Sequence, residues 1–201
     1  MNRVLVVESS PKTESFSRAA TAALLARLTL LHSNAQIIRR DLGAAPPPHV
    51  DAEFVRGMRL SPEARAAEAA DPMLLSETLI AELENCDRLV IATPMHNYTV
   101  PSALKAWIDH VVRARRSFGF GPQGKYGLLA DRPTYLVTVS GDPRGAEGDQ
   151  PDFLVPYLLA ILKTIGITSV ETLSVQRTAR VSDPLAPLAG WLDQVLPLPT
   201  R

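Results

Sequence analysis

The chain reads as a doubly wound α/β domain, one five-stranded parallel sheet with helices on both faces. Three observations predict it. Short β-branched apolar runs alternate with longer helical stretches, which implies right-handed βαβ units. The runs are too apolar to face water on either side, as strands of a covered parallel sheet must be. Loops rich in hydrogen-bonding side chains follow the first and third runs, at the strand ends where open α/β sheets bind ligands.

Val4-Leu5-Val6-Val7 is the first strand, and Ser15 to about Leu31 the helix after it. Ile37-Ile38 lies in a second, shorter strand before Asp41-Leu42, and Pro46-Pro47-Pro48 stiffens the loop beyond. Pro62 to Glu84 is read as helical. Ser61 supplies a capping hydroxyl, Pro62 suits the first helical position, and Glu63 meets the positive helix end. Arg88-Leu89-Val90-Ile91-Ala92 is the third strand. A helix then runs from about Pro101 to Arg115, with Leu104, Ile108, Val111 and Val112 on one face. Four glycines between Gly119 and Gly127, with Pro122, mark a long excursion. Thr134 to Val139 is the fourth strand. A helix from about Phe153 to Ile165 is stopped by Gly166, and Thr168 to Val175 is the fifth strand. Pro184, Pro187, Pro197 and Pro199 leave room for a short last helix and a loose tail from about residue 196. Five strands match the 2-1-3-4-5 order of the flavodoxin-like fold.

Composition narrows the function. A chain of 201 residues suits a single domain spanning 1–201. Lys plus Arg and Asp plus Glu number 21 each, so no whole-molecule field draws it to nucleic acid or an anionic membrane. Cys86 is the only cysteine, which excludes an internal disulfide and suits a reducing cytoplasm. No apolar stretch has the length of a signal peptide or a spanning helix.

The loop Thr93-Pro94-Met95-His96-Asn97-Tyr98-Thr99-Val100-Pro101 carries an amide, an imidazole and a ring, without a nucleophile–base pair. Such a loop suits a flat heteroaromatic cofactor better than covalent catalysis. The first βα turn, Ser9-Ser10-Pro11-Lys12-Thr13-Glu14-Ser15-Phe16-Ser17-Arg18, has no glycine, so it is neither a Rossmann fingerprint nor a P-loop. Its hydroxyls at a helix N-terminus can hold a phosphate monoester, with Ser17 and Arg18 facing the same place as a Ser15 cap; a plain helix cap in a polar loop is the other reading. Cys86 lies far from this turn and reads as a small buried apolar residue. His32, His49 and His110 have no partners at metal-ligand spacing and read as surface or helix-face residues, so no metal site is expected. Trp107 reads as core or interface.

The serine-rich turn, Pro94-Met95-His96-Asn97-Tyr98 and Leu104-Lys105-Ala106-Trp107-Ile108-Asp109, in that order, resemble the FMN-dependent NADH-azoreductases. These belong to the flavodoxin-like quinone reductases. Arg40-Asp41-Leu42, Pro156-Tyr157-Leu158 and Ile165-Gly166-Ile167-Thr168 extend the likeness along the chain. The resemblance implies one FMN per subunit, with its phosphate held by Ser9, Ser15, Phe16 and Ser17. Pro94, Met95, His96, Asn97 and Tyr98 would lie along the ring, and Ser140, Gly141 and Asp142 would form a third loop. It further implies NADH or NADPH as donor and a quinone or azo compound as acceptor, alternating on one ring face with ping-pong kinetics. A homodimer is implied too, with each pocket completed by the partner and walled by Phe118 or Phe120; both rings could equally be local core. Two positions depart from the family. His96 stands where an aromatic residue is frequent, and it either packs beside the cofactor or shares a proton with the acceptor. Asp142 stands where the family carries glycine, an arginine nearby is lost, and the expected consequence is a lowered flavin potential. The competing class is a flavin electron carrier without its own acceptor, which the zero net charge disfavours, since such carriers are strongly acidic.

Overall fold

The computed structural model describes residues 2–67 and 71–199. Five parallel strands, β1 (Asn2–Glu8), β2 (Ala35–Asp41), β3 (Arg88–Pro94), β6 (Thr134–Val139) and β7 (Val170–Val175), form the sheet. Their order is β2-β1-β3-β6-β7, the expected doubly wound arrangement. The registers Leu5↔Leu89 and Ile91↔Leu136 run through its centre. β3 and β6 are buried almost throughout because helices cover both faces.

Alternate residues of each strand serve opposite cores. On one face Val4, Val6, Val90 and Val137 meet Leu24 and Leu28 of α1 (Phe16–Leu31) and Leu188 and Leu192 of α7 (Pro187–Val195). On the other, Leu5, Val7, Ile91 and Leu136 meet three helices. These are α4 (Leu74–Glu84), α5 (Ser102–Val111) and α6 (Leu154–Ile165). Trp107 is 2% exposed in this second core, and Cys86 is buried at its base, where burial pushes its thiol above the usual range. Leu196 is buried beside α7, and its carbonyl accepts the Arg27 guanidinium at 2.9 Å. Among the described residues no helix is long and apolar enough to cross a membrane.

The structure differs from the sequence reading in four places. The helix expected over 62–84 is two, α3 (Pro62–Ala66) and α4, and 68–70 lie outside the described residues. Pro72 disfavours helical geometry at Asp71, whose carboxylate instead accepts the Met73 N–H at 2.8 Å. α5 stops at Val111 rather than Arg115. The Ser117 hydroxyl takes the Arg113 N–H at 2.8 Å and donates to the Val111 carbonyl at 2.6 Å, closing a turn in place of the next helical one. The glycine-rich excursion is an antiparallel hairpin, β4 (Phe118–Gly121) and β5 (Gly124–Gly127). An additional short helix, α2 (Ala52–Gly57), is capped by Asp51. Gly166 does stop α6, at φ +105°, where a Cβ would fall 2.4 Å from the Leu129 carbonyl.

Candidate functional site

Three loops leave the carboxyl ends of β1, β3 and β6 on the same edge of the sheet. In the first, Ser15 has extended backbone and caps α1, its hydroxyl accepting the Arg18 N–H at 3.3 Å. The Ser15 and Ser17 hydroxyls lie 3.1 Å apart. Phe16 and Ser17 begin the helix, so their N–H groups have no intrahelical acceptor. Hydroxyls, free donors and the positive helix end thus share one place.

Arg18 does not share it, contrary to the sequence reading. Its guanidinium turns back to hold the loop, donating to the Lys12 carbonyl at 2.9 Å, the Ser10 carbonyl at 3.0 Å and Asp41 at 2.8 Å. The Arg18 bond, opposed by partial burial, holds the Asp41 carboxyl below its ordinary range. Asp41 also accepts the Gly43 N–H at 3.0 Å. A Cβ at Gly43 would sit 2.0 Å from the Ser10 carbonyl, so only glycine lets the two loops meet.

The second loop is fixed at both ends. Met95 N–H donates to the Val139 carbonyl at 2.7 Å, and His96 and Thr99 exchange N–H···O bonds of 2.9 and 3.0 Å. Between them Asn97 and Tyr98 adopt φ of +47° and +70°, the primed two-residue turn. Asparagine tolerates this geometry; a tyrosine there is strained, which is common at ligand sites. The Tyr98 carbonyl accepts the Phe153 N–H at 3.1 Å, anchoring the turn to the start of α6. In the third loop the Ser140 hydroxyl donates to the Asp142 carbonyl at 2.7 Å. A Cβ at Gly141 would meet only Ala179, at 3.9 Å, leaving open space beside it.

These loops enclose a cleft of about 660 Å³, within the range of small-molecule sites. Of the residues singled out in the sequence, Ser15, Phe16, Ser17, Pro94, Met95, His96 and Gly141 line it. Ser9 stands behind, its buried hydroxyl donating to Thr93 at 2.8 Å. Asn97 lines an adjoining depression with Lys105 and Tyr157. Ser140 and Asp142 flank Gly141, and Asp142 is paired with Arg180 at 2.6 Å. Phe118 and Phe120 line none of these clefts. They sit on the hairpin with ring centroids 5.5 Å apart, Phe118 buried and Phe120 65% exposed.

The sequence reading missed Ser10, Lys12 and the segment after β7, where Thr178, Ala179 and Leu185 line the cleft. Ser10 and Lys12 were within the serine-rich turn; the later segment has no side-chain signature. A second cleft of about 420 Å³ shares Pro11 and His96 with the first and is walled by Pro46, Pro47, Pro48 and His49. His110, read as a surface or helix-face residue, lies on a buried face of α5. Its Nε2 lies 3.0 Å from the Pro48 carbonyl, and its ring meets Phe54 edge-on at 5.1 Å.

The strand order and a ligand-sized cleft at the strand tips define a flavodoxin-like protein. A family model described as flavodoxin-like fold matches residues 2–196, and the chain belongs to that family. It is 45% identical over 185 residues to FMN-dependent NADH:quinone oxidoreductase 2 of Cupriavidus pinatubonensis, covering 91% of this chain and 90% of that one. It is 38% identical over 196 residues to FMN-dependent NADH:quinone oxidoreductase 5 of Burkholderia lata, covering 96% and 94%. Among solved structures, an FMN-dependent NADH-azoreductase from Bacillus anthracis in complex with FMN shares the fold at a TM-score of 0.78. That likeness covers 97% of this chain and 96% of the other, at 24% identity.

Proposed function

We infer that the chain is an FMN-dependent oxidoreductase that takes two electrons from NADH and delivers them to quinones and azo compounds. The observation that carries this reading is the cleft itself, with an anion-holding helix start at one end and the Pro94–His96 loop and Gly141 at the other. Relatives at 45% and 38% identity are named FMN-dependent NADH:quinone oxidoreductases.

The residues present fit FMN. Ser15 and Ser17 hydroxyls and the first N–H groups of α1 suit a dianionic phosphate, and Lys12 on the cleft wall adds a cation. Pro94, Met95 and Val139 give an apolar wall to a flat ring, and Gly141 leaves room for its polar edge. Bound FMN supplies the two-electron relay between donor and acceptor. The protein's part is to hold the phosphate, orient the ring and keep one face open. Donor and acceptor then use that face in turn, so initial-rate lines are parallel. His96 lines the cleft and is exposed, and in this reading it shares a proton with the reduced acceptor.

Two copies pair in this reading, and the exposed Phe120 ring walls the partner's cleft. With one buried free cysteine the protein works in the reducing cytoplasm. The test is NADH oxidation by the purified, FMN-loaded protein with a soluble quinone as sole acceptor. Turnover with parallel lines supports the enzyme. NADH oxidation only through a second reductase makes the chain a carrier.

A further inference from the structure

Three consecutive residues after β7 grip three consecutive residues after β6. The Thr178 N–H and hydroxyl both donate to the Ser140 carbonyl at 3.2 Å. The Ala179 N–H donates to the Gly141 carbonyl at 3.2 Å. The Arg180 guanidinium then closes on the Asp142 carboxylate, Nε at 2.7 Å and a terminal nitrogen at 2.6 Å. The gripping segment has its own turn: Arg177 sits at φ +61°, and its carbonyl accepts the Arg180 and Val181 N–H groups at 2.8 and 3.1 Å. Thr178 and Ala179 line the cleft beside Gly141, so this clasp forms part of the wall.

As a stabilising contact the Arg180–Asp142 pair counts for little. Its side chains are 65% and 52% exposed, and exposed ion pairs add little to stability. Its consequence is electrostatic. Asp142 is the next residue to Gly141 on the cleft wall. A bare carboxylate there disfavours an occupant that gains negative charge on reduction. A closely paired carboxylate and guanidinium present a dipole, whose field decays faster than that of a single charge.

We propose that Arg180 is a positioning residue for the cofactor: paired with Asp142 beside the cleft, it cancels the charge of Asp142, keeping the potential of bound FMN higher than Asp142 alone would allow. This rests on the FMN reading above. Nothing in the sequence marks the role, because Arg180 lies 38 residues from its partner.

The test measures the midpoint potential of FMN bound to wild type, Arg180→Gln, Arg180→Lys, Asp142→Asn and the Arg180→Gln/Asp142→Asn double variant. Arg180→Gln lowers the potential, equivalent to an about two- to fivefold loss of affinity for reduced relative to oxidised FMN. Arg180→Lys stays near wild type, and the double variant returns to it. FMN-loaded Arg180→Gln at the wild-type potential overturns the proposal. So does a shift that persists undiminished in the double variant, or one as large in Arg180→Lys. A wild-type chain that takes up no FMN overturns the cofactor reading as well, which separates the two failures.

Discussion

Arg18→Met tests how the phosphate turn is built. The Arg18 side chain makes two bonds to carbonyls, of Ser10 and Lys12, and one charged bond to Asp41. A longer contact of 3.5 Å reaches Glu8, a carboxylate only 4% exposed that otherwise has Arg39 at 2.9 Å. Each carbonyl bond is worth about 1 kcal/mol and the charged bond about 2 kcal/mol. Arg18 is itself 21% exposed, so water recovers part of the loss, and about 2–3 kcal/mol remains. For a domain of this size that lowers Tm by roughly 5–10 °C. The same change releases the loop that presents Ser10, Ser15 and Ser17, so FMN affinity falls about tenfold, or about 1.4 kcal/mol. Thermal unfolding of the apoprotein reads the first effect, and quenching of FMN fluorescence on titration reads the second. A stable Arg18→Met variant with wild-type FMN affinity would refute the claim that Arg18 holds the turn from behind.

Ser15→Ala removes the α1 cap and costs about 1 kcal/mol in denaturant unfolding, whereas Ser17→Ala weakens FMN binding by about tenfold with a smaller effect on the apoprotein. Asp131 accepts bonds from the Ser169 N–H and hydroxyl and the Thr168 N–H and hydroxyl, which hold its carboxyl well below the ordinary carboxylate range. A lowered folded pKa gives stability that is complete above the unfolded value of about 3.9 and is lost as pH falls below it. Asp131→Asn is therefore less stable than wild type by about 1 kcal/mol at pH 7, after allowance for solvent screening, and urea unfolding shows the gap narrowing steadily as pH falls below the unfolded value. His96→Phe flattens the pH profile of acceptor reduction while leaving FMN affinity within about twofold; an unchanged profile would confine His96 to packing.

What the sequence discloses here follows from what is local. β1, β3 and β6 are legible because burial on both faces demands unbroken apolar runs. Gly166 is legible because a helix stop needs a left-handed residue. Ser15 and the Pro94–His96 loop are legible because their side chains advertise their chemistry. The break before α4 depends on Pro72 and Asp71, whose local preference the alanine-rich surroundings obscure. The direction of Arg18 is set by Asp41, 23 residues away, and the burial of His110 by Pro48 and Phe54. The clasp of 178–180 on 140–142 joins residues 38 positions apart, partly through backbone groups, so it leaves no local trace.

Titrating the apoprotein with FMN and, separately, with riboflavin, which lacks the phosphate, shows whether the start of α1 is a phosphate site. Uptake of one FMN per chain, at least about a hundredfold tighter than riboflavin, is the predicted result, because the start of α1 holds the phosphate. A protein that remains colourless in excess FMN, or that binds both compounds equally, would contradict it.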